Sequence, residues 1–318
     1  MGDPGEMAAP GVYAAIDVGT NTVKLTIAER RGSGSWTELM EQARTTRLGE
    51  GFSQGYLQAA AIRRTIRVLA EYAELCRRAA AQSVAAVATA AVRHARNQDE
   101  FVHQAAEAGI SVEILSEGEE ARLSFLAVRK DPLWHSLNML RVVDIGGGST
   151  EIVLGTTGGI RSATVPVGAV QITEDILRTD PPTTAQIHEA EQFVFEALRH
   201  AHLAGGRCPL VGVGGTVAHM AAVQQGRPLE RADQIHGCTL AARQVEEQLT
   251  LYAAKPIAAR SQIPGLDAAR AAVILGGAII LRIVMERFGN DTVQVSGRGL
   301  RWGLLYDRFD GSANEAIR

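Results

Sequence analysis

The chain has 318 residues, 46% of them hydrophobic and 21% charged, with a net charge of −3 and a pI near 6.3. A chain of this length holds more than one core, since single cores stop growing at about 250–300 residues, and its charge balance excludes a generally basic nucleic-acid binder. The longest apolar run, residues 271–281, is too short to span a bilayer, and the N-terminal MGDPGEMAAPG reads as a frayed tail without an export signal, so a soluble cytoplasmic protein with no membrane partner is expected.

Three cysteines, Cys76, Cys208 and Cys238, have neither metal-ligand spacing nor an even count, which fits small buried thiols in a reducing compartment. Only three of the 32 basic residues are lysines, Lys24, Lys130 and Lys255. Arginine's planar fork suits phosphate, although an Ala- and Arg-rich composition is also what a GC-rich genome produces.

Residues 12–28, VYAAIDVGTNTVKLTIA, read as a β-hairpin with an Asp-x-Gly turn at Asp17 and Gly19, hydroxyls at Thr20 and Thr22, and an outgoing strand alternating through Val23, Leu25 and Ile27. Residues 36–43 continue as a third antiparallel strand. The following RTTRLGEGF, 44–52, is either a solvated loop or one whose two arginines reach a phosphate. Residues 58–82 form the clearest helix, with Ile62, Ile66, Leu69, Ala73 and Cys76 on one face. A short strand at 84–88 leads to Thr89 and, one helical turn later, Arg93. That arginine is a surface residue, or a ligand contact at the strand end where α/β sheets bind. A helix at 97–109 and a strand at 110–115 come next. Ser116 and Glu119 then make a capping box, leaving Glu120 either to complement the helix dipole or to act as a general base.

Residues 142–154, VVDIGGGSTEIVL, repeat the hairpin pattern. Gly146, Gly147 and Gly148 permit a tight turn whose N–H groups converge on an anion, and Ser149 and Thr150 add hydroxyls. Asp144 and Glu151 bracket this nest. Two carboxylates beside a phosphate call for a hard cation, Mg²⁺ or alternatively Mn²⁺. Asp17 and Asp144 lie 127 residues apart, the spacing of a duplicated domain, so two phosphate hairpins are expected to face one another across a cleft. Residues 161–170 give a further strand and turn, Pro181 and Pro182 end a short helix, and 184–202 form a helix with Ile187, Ala190, Val194 and Leu198 inward. His200 and His202 point apart on it and make no metal pair. In LVGVGGTVAHMAAV, 210–223, a turn at Gly214, Gly215 and Thr216 opens a helix whose N-terminus suits an anion. Gly276 and Gly277 suggest close helix packing, and a last strand and loop at 293–303 precede a closing helix.

Taken in order, AIDVGTNTVKL, RLGEG, VATAAVR, EGEEARL, VVDIGGGSTEIV, PVGAVQIT, VGGT and SGRGLRWG resemble the motifs of the exopolyphosphatase / guanosine pentaphosphate phosphatase (Ppx/GppA) family, within the actin, Hsp70 and sugar-kinase superfamily. The resemblance covers nearly the whole chain. It implies an α/β fold of two actin-like (ribonuclease H-like) domains, 1–130 and 131–318, each a mixed β-sheet flanked by helices, with a cleft between them and the last helix packing back toward the first. It further implies Mg²⁺-dependent attack of water on the terminal phosphorus of inorganic polyphosphate, releasing orthophosphate one unit at a time.

Matched motif by motif, the resemblance makes Glu120 the general base and Arg93 a contact to the terminal phosphate. Asp144 and Glu151 become the metal and water-positioning carboxylates, with Asp17 as a further metal ligand. Gly19, Thr20, Asn21 and Thr22, then Gly146, Gly147, Gly148 and Ser149, and finally Gly214, Gly215 and Thr216 become phosphate binders. Three other activities are open on these residues: hydrolysis of guanosine pentaphosphate, an ATP-dependent small-molecule kinase in which Gly214–Thr216 touch a nucleotide, and a non-enzymatic nucleotide-gated assembly protein. A homodimer is the family-level expectation. Many family members carry acidic residues where this chain has Ala272 and Trp302, so any role of those acids is not carried over. With no His-Asp dipeptide the sequence matches the short form of the family, for which a preference for shorter polyphosphates is expected.

Overall fold

The computed structural model describes residues 10–32, 35–52, 55–200 and 207–310, residue 200 by its backbone alone. Most of the expected N-terminal tail, the His200 side chain and His202 therefore lie outside the described residues. The chain divides into two compact units, one formed by residues up to Ala127 together with those from Leu300 onward, the other by Val128–Gly299.

The first unit is built on a five-stranded sheet of β1 (Gly11–Val18), β2 (Thr22–Arg30), β3 (Trp36–Thr45), β4 (Ser83–Ala88) and β5 (Val112–Ile114), in the order β3-β2-β1-β4-β5. β1, β2 and β3 pair antiparallel, whereas β4 and β5 join in parallel through helical crossovers. Strand alternation sends the side chains of β1 to two cores. Ala14, Ile16 and Val18 pack with Leu69, Tyr72 and Cys76 of the helix Ala59–Arg78. Tyr13 and Ala15 face the other way, onto Leu123 and Leu126 of the helix Glu117–Arg129 and Trp302 and Leu305 of the closing helix Leu300–Phe309. Trp302 is thus a core residue, 1% exposed. The closing helix approaches Glu117–Arg129 so tightly that a Cβ at Gly303 would collide with the Leu123 carbonyl.

The second unit repeats the plan with β6 (Met139–Ile145), β7 (Thr150–Thr156), β8 (Gly159–Val165), β9 (Leu210–Val213), β10 (Thr239–Ala241) and β11 (Thr292–Val295), ordered β10-β11-β9-β6-β7-β8. Again three strands form an antiparallel meander and β9 joins β6 in parallel. Helices Thr184–His200, Gly215–Gln225, Ala242–Ala253 and Ile274–Arg287 supply one continuous core. Gly276 and Gly277 serve the close packing expected of them, their Cα atoms facing the Ala169 carbonyl and the Thr216 side chain. Cys76 and Cys208 are buried, but Cys238 is only half-buried, so the expectation of three core thiols fails at that position. Among the described residues no helix is long and apolar enough to cross a membrane.

Arg141 on β6 is fully buried, with its guanidinium 3.8 Å over the Phe288 ring. Nε, Nη1 and Nη2 meet no hydrogen-bond partner among the described residues, and burial holds its pKa below the usual arginine range. The ring offsets part of the desolvation. Arg141→Met keeps most of the volume and removes the unpaired charge, so the urea midpoint should rise, by on the order of 1–3 kcal/mol of stability. A lower midpoint would show that the guanidinium is satisfied in solution.

Candidate active site

In the first unit, the register of the parallel strands brings three strand ends level: Val18 of β1 lies beside Ala88 of β4, and Ala88 beside Ile114 of β5. The segments that leave these strands therefore emerge at one edge of the sheet, the edge at which open α/β sheets bind ligands. After β1 comes the hairpin tip, closed by the Gly19 N–H donating to the Thr22 carbonyl at 3.1 Å. After β4 comes Thr89 and the single turn Ala90–Arg93, and after β5 comes Ser116 and the helix bearing Glu120.

Two of these segments meet. Arg93 Nη1 donates to Glu120 Oε2 at 2.8 Å and to the Leu115 carbonyl at 2.9 Å. Glu120 is thus not left without a duty: it is 8% exposed and ion-paired. Arg93 Nε and Nη2 have no partner among the described residues. At the tip, Asn21 and Thr22 are buried, and Asn21 Nδ2 and Thr22 Oγ1 likewise lack partners there.

The capping box forms only by half. Ser116 Oγ accepts from the Glu119 N–H at 3.2 Å, but the Glu119 carboxylate binds Arg122 in a fork at 2.6 and 2.9 Å. Arg122 in turn holds Asp307 of the closing helix at 2.6 Å. A guanidinium shared between two carboxylates outcompetes one backbone N–H, and the Arg122 hydrogen bond keeps the Glu119 pKa below the ordinary carboxylate range. Glu119 is structural, as expected, but as a tie between two helices.

The second unit carries the matching arrangement. Asp144 on β6 stands directly opposite Glu151 on β7, on the same face of the sheet. Ser149 Oγ donates to Glu151 Oε1 at 2.6 Å and Thr150 Oγ1 to the Val167 carbonyl at 2.7 Å. Those hydroxyl protons are committed within the protein, which leaves the backbone N–H groups of Gly147 and Gly148 as the turn's donors. The tip is clamped from behind: the N–H groups of Ala169 and Val170 donate to the Gly146 and Gly147 carbonyls at 2.9 and 3.0 Å.

After β9, Gly214 adopts φ +87°, and a Cβ there would lie 2.6 Å from Asp144 Oδ1. The absent side chain leaves a cradle against that carboxylate. Thr216 is buried, and the Arg270 guanidinium lies where a Gly215 side chain would be.

Like charges directly opposite on antiparallel strands are unfavourable without a cation between them. Two carboxylates with water and phosphate oxygens making up the octahedron suit Mg²⁺, so the donor set fits that ion. Among the described residues no group of three or more His, Cys, Asp or Glu side chains is placed to hold a metal, and the fit rests on the Asp144–Glu151 pair. Asp17 belongs to the first unit, where Lys24, its register partner, lies 3.8 Å away.

Residues 26–311 match the Ppx/GppA phosphatase family. The chain belongs to that family. Among Ppx/GppA relatives, Exopolyphosphatase 2 of Mycobacterium tuberculosis is 34% identical over 309 residues, which covers 92% of this chain and 96% of the relative. The solved Ppx/GppA structure from Aquifex aeolicus superposes with a TM-score of 0.80 at 33% identity, over 94% of this chain and 97% of that one. A solved exopolyphosphatase-like protein gives a TM-score of 0.87 at 28% identity, over 93% of this chain and 97% of that one. Two mixed sheets flanked by helices are accordingly the actin-like fold of Ppx/GppA proteins.

Lys24 is a site neighbour that the motifs do not single out. Its signal is nonetheless present: seven residues separate Asp17 from Lys24 and Asp144 from Glu151, so aligning the two Ppx/GppA hairpins puts a lysine in one where the other has a carboxylate. The contact of Arg270 with Gly215 has no local signal, since 55 residues separate them.

Proposed function

We propose that this enzyme is an exopolyphosphatase, hydrolysing the terminal phosphate of inorganic polyphosphate with Glu120 as general base and Mg²⁺ as cofactor. The contact between Glu120 and Arg93 carries the reading, because it ties a proton acceptor to a guanidinium that suits phosphate oxygens. In the proposed step a water oxygen attacks the terminal phosphorus, the bond to the bridging oxygen breaks, Glu120 takes the water proton, and the shortened chain leaves. Arg93 offers Nε and Nη2 to the equatorial oxygens as their charge shifts. The Gly147 and Gly148 N–H groups take further phosphate oxygens as backbone donors, as do those of the first hairpin's tip. Asp144 and Glu151 would hold Mg²⁺, which neutralises phosphate charge when bound, and Ser149 fixes the orientation of Glu151. Family membership and the mycobacterial exopolyphosphatase at 34% identity support the substrate class.

Phosphate release is the test, with polyphosphate, guanosine pentaphosphate and ATP each supplied with Mg²⁺ or with EDTA. Release from polyphosphate that EDTA abolishes and added Mg²⁺ restores is the expected result. Faster release from guanosine pentaphosphate would transfer the proposal to the nucleotide. Undiminished release in EDTA would remove the metal from it.

A further inference from the structure

The loop after β3, TRLGEGF at 46–52, has no task in the reaction as described, and its construction is specific. Leu48 is fully buried and Thr46 nearly so, which anchors the loop in the first unit's core. The N–H groups of Thr46 and Arg47 both donate to the Asn21 carbonyl, at 3.0 and 2.9 Å, and the Gly49 N–H donates to the Thr20 carbonyl at 2.9 Å. The loop is therefore bonded to the tip of the first hairpin. Between these bonds Arg47 takes φ +50°, a left-handed conformation uncommon outside glycine, asparagine and aspartate. Arg64, on the neighbouring helix, fixes it there by donating to the Thr46 carbonyl at 3.0 Å and the Arg47 carbonyl at 3.4 Å.

Glycine would meet that backbone requirement at lower steric cost, so the fold alone does not account for an arginine. Nor does pairing within the protein: the Arg47 side chain is 56% exposed and 3.9 Å from Glu50, whose other oxygen is engaged by Arg64 at 2.6 Å. The loop thus holds the Arg47 backbone beside the tip of the first hairpin with little freedom, while its guanidinium stands largely in solvent.

Strand order says which phosphate it meets. Arg47 is bonded to the tip where β2 begins, whereas Glu120 lies beyond the end of β5, three strands along the sheet. At about 4.8 Å per strand that is roughly 14 Å, more than one phosphate spans and within reach of several in a row.

We propose that Arg47 grips a phosphate of the polyphosphate chain several units from the one being cleaved, so that it sets affinity for long chains. This inference rests on the polyphosphate reading and names a specificity-determining residue for it. Arg64 is the positioning residue that holds the Arg47 backbone.

The test compares wild type, Arg47→Gly and Arg47→Lys on tripolyphosphate, too short to reach both places, and on polyphosphate of tens of units. Arg47→Gly keeps the left-handed backbone, so loss of fold does not intervene. It should raise KM for long chains about ten-fold with kcat held within about two-fold, and leave KM for tripolyphosphate unchanged. Arg47→Lys, keeping charge but not the fork, should fall between. An unchanged KM for long chains, or an equal loss on both substrates, overturns the proposal.

Binding of fluorescently labelled long polyphosphate to full-length Glu120→Gln and to Glu120→Gln with Arg47→Gly separates this claim from the enzymatic one. If wild type released no phosphate from any polyphosphate, the functional reading would fall. A ten-fold weaker binding in the double variant would still support the grip, and equal binding would end it.

Discussion

Glu120→Gln should lose about 10²- to 10⁴-fold in the rate of phosphate release from polyphosphate while remaining folded. The substitution is nearly isosteric, and the amide oxygen still accepts from Arg93 Nη1, which in the native chain donates to Glu120 Oε2 at 2.8 Å. What disappears is the capacity to take a proton from water. KM should move little, because in the proposed step Glu120 acts on the nucleophile rather than on the phosphate chain. The side chain is 8% exposed and pairs with a guanidinium whose Nε and Nη2 are unpartnered among the described residues. Some stability is therefore lost with the charge, about 1–3 kcal/mol, visible as a lower melting temperature with an unchanged circular dichroism spectrum. Release within three-fold of wild type in the folded variant would remove Glu120 from the base role. Arg93→Lys is the companion measurement, since lysine keeps the charge but not the planar fork that bonds Glu120 and the Leu115 carbonyl and would leave Nε and Nη2 for the proposed phosphate contact.

Both hairpins are legible in the amino-acid sequence because two independent signals coincide in each. The alternation of Val23, Leu25 and Ile27 fixes which face of β2 is buried, and the Asp-x-Gly turn fixes its register against β1. Likewise the strand-end positions of Arg93 and Glu120 are readable from local order, yet their contact is not, for they stand 27 positions apart and only the parallel pairing of β4 with β5 brings them level. Glu119 shows the opposite case. Its local pattern predicts a capping box, and a residue 185 positions beyond Arg122, Asp307, draws its partner into another arrangement. Local rules hold until a stronger long-range partner competes. Strand β10 escapes notice because three residues are too few for a period to show. Arg141 gives no sign either, since an arginine in an apolar run reads as an edge residue until the helix that ends at Arg287 and the Phe288 ring beyond it close over the strand.

Gly168→Ala should abolish most activity without touching a reacting group. A Cβ at this position would run into the Gly147 carbonyl and the Gly148 nitrogen, which are backbone atoms with no rotamer to change. Relief requires the second hairpin's tip to move away from the turn that holds it, breaking the bonds from Ala169 and Val170 to the Gly146 and Gly147 carbonyls. The backbone N–H groups of Gly147 and Gly148 then move with the tip, and the shift passes through Ser149 to Glu151, to which it is bonded at 2.6 Å. A displacement on the order of 1 Å in positioning groups costs about 10²-fold in rate, and overpacking of this kind about 1–3 kcal/mol in stability. Both losses should appear together, in phosphate release and in the urea midpoint. Gly158→Ala is the control, because its Cβ would meet nothing closer than Thr156 Oγ1 at 3.7 Å on the far end of the β7–β8 hairpin. If Gly168→Ala kept full activity with an unchanged midpoint, the tip would be softer than its clamp implies, and a preorganised anion nest could not be the source of the phosphate contacts proposed for the second unit.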